Sequence, residues 1–229
     1  MRRILVLLLM LGLSLHGMTK EVQDMIDHIH WLGHDAFKIA ASKVIYLDPY
    51  QLTAGQQPAD IILITHKHHD HSSPEDLGKV QQAGSVVIGP ADSLAKITGD
   101  TRAITVGETL KIGEVEITAV PAYNIGKAFH PKDAGWVGYL INIDGVTIYH
   151  AGDTDYIPEM KQFHPDIALL PVGGTYTMTA EEAARAAQDL RPQVAIPMHY
   201  GAIVGTPADA ERFRRLLQDT VAVVIKTKE

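Results

Sequence analysis

Residues 61–74, IILITHKHHDHSSP, decide the reading of this chain: the apolar run Ile61 to Ile64 leads straight into four histidines and an aspartate within positions 66–71. A short apolar run closed by a turn signal reads as a buried strand. If the chain leaves that strand still extended, His66 and His68 point the same way, because side chains alternate with period two. Two imidazoles then converge on one cation. Asp70 and His71 follow as the chain turns, and can offer a carboxylate and a third imidazole to a second cation; paired metals in hydrolytic sites sit about 3.5 to 4 Å apart. The same alternation points His69 away from both. A solvated histidine loop would need neither the strand before it nor an aspartate at this offset.

The bulk composition agrees with a metal site built without sulfur. The chain has 229 residues, 46% of them hydrophobic and 21% charged, as in an ordinary soluble protein with one sizeable core. With no cysteine, disulfides, thiolate zinc sites and cysteine nucleophiles are excluded, and any metal falls to His, Asp, Glu or backbone. A net charge of -7 removes the long-range attraction a nucleic-acid binder needs, so a small-molecule substrate is expected and nucleic acid is not. Residues 1–17 read separately: Met1-Arg2-Arg3 is a positive start and Ile4 to Leu15 an apolar stretch, shorter than the about 20 residues that span a bilayer. A signal peptide or N-terminal anchor is expected there, with residues 18–229 forming one exported domain, periplasmic or extracellular, whose membrane association is through that segment only.

Working outward, residues 28–50, HIHWLGHDAFKIAASKVIYLDPY, read as a β-meander closed by Asp48-Pro49. After the strand Ile61 to Thr65 come a helix over 74–83, the strand Val86 to Gly89 and a short helix over 91–96. A second run of strands follows at 103–106, 109–112, 115–121, 137–143 and 146–150, the last two joined by the hairpin signal Asp144-Gly145. Then come the strand 167–171, a helix opened by the capping box Thr179-x-x-Glu182, the strand 194–197, a helix over 207–218 and the strand 221–226. Two batches of strands, each passing into strand and helix alternation, predict an α/β fold of two facing sheets with helices outside. The longest irregular segment, Ala122 to Gly135, is long enough for a functional loop.

His-x-His-x-Asp-His at the end of an apolar strand resembles the metallo-β-lactamase superfamily, and the likeness extends over nearly all of residues 18–229. IYHAGDTD places Asp153 where that superfamily has the carboxylate bridging two metals, and IPMHYG places His199 where it has the last ligand of the second metal. WLGHDAF and YLDP resemble the branch that includes ascorbate-6-phosphate lactonase and N-acylphosphatidylethanolamine phospholipase D. The resemblance implies a four-layer αβ/βα sandwich of two mixed sheets flanked by helices, and metal ligands at His66, His68, Asp70, His71, Asp153 and His199. One or two divalent ions are implied, zinc first, with manganese or iron next. His34 lies near the metal centre in that branch, or serves packing.

One ligand departs from the pattern. Where the resemblance places a histidine after the strand 115–120, this chain has VPAYNIGKAFHPKDAGW, with Asn124 at the corresponding place. Three outcomes are open: a weak first site, His130 brought in by the loop as a substitute, or a single ion held by Asp70, His71, Asp153 and His199. The implied activity is a metal-dependent hydrolase acting on a small-molecule ester, lactone or phosphodiester through a metal-bound hydroxide. Asp70 is the catalytic candidate, holding the attacking water and taking its proton. Tyr200 is a candidate for assisting the leaving group, and Gly174, Thr175 and Tyr176 for a loop touching substrate. The competing readings are a non-catalytic metal-binding protein of the same fold and a glyoxalase II-like thioesterase, which usually adds a helical region after the last ligand.

Overall fold

The computed structural model describes residues 18–229; the expected leader lies outside them. Helix α1 (Lys20–His28) opens the described chain, its N-terminus capped by the Thr19 hydroxyl accepting from Val22 N. Val22, Met25 and Ile26, three and four positions apart, form its buried stripe. The expected meander follows as β1 (Ile29–Gly33), β2 (Ala36–Ala40) and β3 (Val44–Leu47), paired antiparallel. The sheet then continues parallel through β4 (Ile61–Leu63), β5 (Val86–Gly89) and β6 (Asp100–Ala103). Helix α2 (Pro74–Val80) makes the crossover from β4 to β5, started by Ser73 as N-cap and Pro74 in its first turn.

The second sheet repeats the plan. Strands β7 (Thr109–Ile112), β8 (Val115–Pro121), β9 (Val137–Ile143) and β10 (Val146–His150) are antiparallel. Strands β11 (Ile167–Pro171), β12 (Val194–Met198) and β13 (Ala222–Val223) then add in parallel, through α3 (Ala180–Leu190) and α4 (Pro207–Leu217). At the β9–β10 hairpin, Asp144 and Gly145 take φ of 51° and 79°, the left-handed values this two-residue turn requires. The Thr179–Glu182 capping box forms as expected.

Period-two burial joins the layers. Ile45, Leu47, Ile61 and Leu63 belong to the core shared with Ile117, Tyr139, Ile148 and Leu169 of the second sheet, while Val44, Tyr46, Ile62 and Ile64 cluster with Leu77 and Val80 of α2. A one-residue slip of β3 or β4 would exchange the two sets, so burial on both faces pins the register. Helices α3 and α4 pack on each other and on β11 and β12, completing the four-layer sandwich.

Local expectations are corrected in four places. Residues 91–96 form turns rather than a helix, with Ser93 N bonded to Pro90 O and Ile97 N to Leu94 O. The strand expected at 103–106 pairs at Asp100–Ala103, where every residue is exposed and only backbone pairing holds it. Helix α2 stops at Val80, and the last strand is confined to Ala222–Val223. Helix α1 carried too little apolar content to be foreseen.

The sheets bring the carboxyl ends of β3, β4, β10 and β12 to one edge, where ligands bind in open α/β sheets. Three non-glycine residues at that edge, His34, Asp48 and His199, have φ of 53°, 42° and 58°. Left-handed backbone at such residues costs roughly 1–3 kcal/mol each and concentrates at functional sites.

Candidate metal centre

His66 and His68 leave β4 on the same side, with His66 Nε2 2.9 Å from His68 Nδ1. The third member of the group is His130, whose ring centroid lies 5.0 Å from that of His66 and 5.1 Å from that of His68. The hydrogen bonds behind these rings fix which nitrogen faces inward. Asp48 accepts from Thr65 N at 2.8 Å and from Thr65 Oγ1 at 2.6 Å, so the threonine oxygen is left to accept from His66 Nδ1 at 2.9 Å. Asp48 also accepts from His71 Nδ1 at 2.8 Å. One buried carboxylate therefore orients both His66 and His71 through their Nδ1 atoms, and both rings turn Nε2 to the site.

Asn124 does the same for His130. Its Nδ2 donates to Asp155 Oδ1 at 3.1 Å and Tyr176 O at 2.8 Å, while its Oδ1 accepts from His130 N at 3.1 Å and His130 Nδ1 at 3.0 Å. All four bonding positions of the amide are used, so Asn124 is not free to ligate. His130 Nε2 is buried without a hydrogen-bond partner and sits 3.2 Å from Asp153 Oδ2. The loop over 122–135 is tied down around this pair: Lys127 Nζ reaches Asp155 Oδ1 at 2.6 Å and the carbonyls of Thr177 and Gly174 at 2.7 and 3.3 Å.

The second group gathers around Asp153, which follows β10. Its Oδ2 lies 3.2 Å from His199 Nε2 and its Oδ1 3.5 Å from His71 Nε2. Asp70 Oδ2 stands 3.6 Å from His71 Nε2 and 3.1 Å from His34 Nε2. Among the buried atoms with no hydrogen-bond partner are His71 Nε2, His130 Nε2 and Asp153 Oδ1. Buried polar atoms are rarely left so. Lone pairs aimed at one another and at a carboxylate are a donor set fitted to cations, and the cluster can hold metal.

Burial alone would push the imidazoles of His71 and His199 down, but the surrounding carboxylates together outweigh it, Asp153 foremost, with Asp48 and Asp35 beside His71 and Asp35 beside His199, raising His71 well above its ordinary range and His199 to about 9. The same pairs hold Asp153 far below the usual carboxylate range against its burial. Burial raises Asp35, next to this group, well above that range. Asp70, which burial would raise, is held low by its His34 hydrogen bond and by His71. His66 and His68 are depressed, chiefly by burial, and stand neutral as ligands must.

Comparison with known proteins identifies the family. Residues 28–199 match the model of the Beta-lactamase superfamily domain. The chain belongs to that superfamily. Within it, a metal-dependent hydrolase of Pyrococcus furiosus is 37% identical over an alignment of 215 residues that covers 86% of this chain and 95% of that protein. The crystal structure of a protein from Parabacteroides distasonis, assigned as a metal-dependent hydrolase, superposes with a TM-score of 0.79 at 34% identity, over 86% of this chain and 91% of that one. A metallo hydrolase of Ignicoccus hospitalis gives 0.74 at 26% identity, over 87% and 94%. This member of the β-lactamase superfamily is a metal-dependent hydrolase.

The remaining residues singled out in the sequence fall on either side of the superfamily centre. His69 is exposed, with 81% of its side chain accessible, and takes no part. Tyr200 is buried and stacks on Trp31 at 4.7 Å, a packing role that anchors the backbone beside His199. The loop of Gly174, Thr175 and Tyr176 meets the His130 loop, with Tyr176 edge-on to Phe129 at 4.7 Å. Gly173 before it is required: a Cβ there would strike the His199 carbonyl. Sequence reasoning missed Asp48, Thr65 and Trp136, whose ring packs 5.0 Å from His66 and 4.8 Å from His68. Asp48 carried a faint signal, since an Asp-Pro closing a strand next to a metal motif sits at the same sheet edge.

The charge states predict an asymmetric pH dependence. In the metal-free protein the raised imidazole of His199 carries a proton up to about pH 9, and an ion entering beside Asp153 must displace it. Affinity of that group should therefore rise with pH, by about tenfold per unit for each proton displaced, and the rise should weaken above about pH 9 as His199 gives up its proton. The group of His66 and His68, depressed by burial, should show little change above about pH 6.5. Metal titrations at three pH values between those limits check both slopes.

Proposed function

We propose that the protein hydrolyses a small-molecule ester, lactone or phosphodiester at a two-ion centre held by His66, His68 and His130 on one side and Asp70, His71 and His199 on the other, with Asp153 between them. The observation that carries this reading is the position of Asp153 Oδ2, 3.2 Å from both His130 Nε2 and His199 Nε2, one from each group. Bound divalent ions lower the pKa of water toward about 7 and polarise the carbonyl or phosphoryl oxygen under attack. Asp70, held ionised beside His34, accepts the hydrogen bond that orients the attacking water. The His130 loop and the Gly174–Tyr176 loop flank the substrate, and the exposed side chains of Ile125 and Phe129 give that rim an apolar character suited to an acyl or ring substituent.

Zinc is the favoured ion for the three-imidazole group. The third imidazole that His130 supplies speaks against a degenerate binding protein. After His199 the chain adds α4 and the short β13, far less than the helical region expected of a glyoxalase II-like thioesterase. Likeness to the lactonase branch favours lactones and phosphodiesters among the esters. The basic start and apolar stretch of residues 1–15 favour action outside the cytoplasm.

The test is hydrolysis of a panel of lactones, phosphodiesters and thioesters by zinc- or manganese-loaded protein. At least one class should be turned over, chelation should bring the rate to background, and added metal should restore it. No turnover above that of His68→Ala by the loaded wild type would sink the reading.

A further inference from the structure

Asp35 is a carboxylate for which neither the fold nor the seven residues of the proposed centre have a use. It lies between β1 and β2, is fully buried, and among the described residues has no hydrogen-bond partner at either side-chain oxygen. His71 Nδ1 lies 3.9 Å from its Oδ2 but already donates to Asp48 at 2.8 Å. A carboxylate buried without donors is among the more costly arrangements a protein can keep, and such groups are as a rule paired or coordinate metal. Donor atoms of Asp35, His71, Asp153 and His199 all lie within 4.8 Å of one another, as do those of His66, His68 and His130.

The two groups are chemically unlike. One consists of three imidazoles, a borderline set that suits zinc. The other mixes two imidazoles with the carboxylates of Asp35 and Asp153, and Asp70 stands at its mouth. Oxygen-rich sets favour harder ions. Charge leads the same way: two divalent cations in a buried site call for several compensating anions, and Asp35 adds one to those of Asp48, Asp70 and Asp153.

We propose that Asp35 is an oxygen ligand of the ion between Asp153 and His199, and that it makes this position selective for a hard divalent ion such as Mn²⁺ while the imidazole position takes Zn²⁺. The inference rests on the two-ion reading above but not on any particular substrate. It gives the protein two chemically distinct metal positions, one of imidazoles and one that mixes imidazoles with carboxylates.

The test uses the full protein stripped by a chelator under anaerobic conditions, offered equal Zn²⁺ and Mn²⁺, desalted, and analysed for metal content. Wild type should retain about one zinc and one manganese per chain. Asp35→Asn, which keeps the shape and removes the charge, should keep its zinc and bind Mn²⁺ at least about tenfold more weakly. Melting curves guard against a folding defect: the metal-free variant should melt no lower than metal-free wild type, and only the Mn²⁺-dependent rise in Tm should shrink. The proposal is overturned if wild type fills both positions with zinc, or if Asp35→Asn takes up Mn²⁺ as wild type does, which would leave Asp35 merely sharing a proton with Asp153. Correct sorting by a protein that hydrolyses nothing would instead defeat the hydrolase reading and leave this one standing.

Discussion

Asp153→Asn should lose bound metal at both positions together and lower hydrolysis by about a thousandfold or more, which corresponds to about 4 kcal/mol of transition-state stabilisation. The expectation follows from the place of its two oxygens. Oδ2 is 3.2 Å from one imidazole of each group, and Oδ1 is 3.5 Å from His71 Nε2. An amide keeps one oxygen and puts an NH₂ where the other stood, so at least one of the two groups would face a donor instead of an anion. The charge matters as much as the shape. Asp153 is the largest of the carboxylate contributions that together outweigh burial at His199 and His71, and without it both imidazoles should shift toward the neutral form. The metal-free variant should then lose the rise of metal affinity with pH that wild type shows. Metal analysis, rates and a titration at two pH values measure the three consequences separately. A variant that kept both ions would show that Asp153 does not join the two groups.

The parts of this centre that could be read from the sequence are those fixed by periodicity or carried by resemblance. The run Ile61 to Ile64 identifies a strand and period two brings His66 and His68 to one side, while Asp153 and His199 were legible through the superfamily resemblance of the strand-end stretches that carry them. What escaped is fixed by hydrogen bonds between residues far apart in the chain. Asp48 reaches Thr65 and His71 across 17 and 23 positions, and no spacing rule links an Asp-Pro turn to the orientation of a histidine in the next strand's loop. The Asn124 and His130 alternatives stayed open for a related reason: a loop has no period, so sequence can name its candidate ligands but cannot say which of them turns inward. The fold follows the same division. Elements with two buried faces were legible, whereas exposed β6, held by backbone pairing, and polar α1, with a stripe of three buried residues, were misplaced or missed.

His130 and Asn124 offer the second large effect, because the structure gives them unequal roles in one unit. His130→Ala removes an imidazole from a three-imidazole group and should lower the affinity of that position for zinc by about a hundredfold or more, with activity following. Asn124→Ala removes no ligand. It frees the ring, since the amide oxygen that accepts from His130 Nδ1 at 3.0 Å and holds Nε2 toward Asp153 is gone. It also releases Asp155 and the Tyr176 carbonyl from the loop. Loss of such an outer partner commonly lowers metal affinity by about 10 to 100-fold, so the effect should be the smaller of the two. The decisive measurement is the double variant. If Asn124 acts on the metal only by orienting His130, the effects are not additive, and Asn124→Ala should add little in the His130→Ala background. Full additivity in zinc affinity would mean that Asn124 reaches the ion by some other route. The partner substitution Asn124→His tests the same geometry from the other side. With the amide's donors to Asp155 and Tyr176 removed and a larger ring in a buried place, it should weaken zinc binding rather than supply a better ligand, although by residue type alone histidine is the stronger of the two.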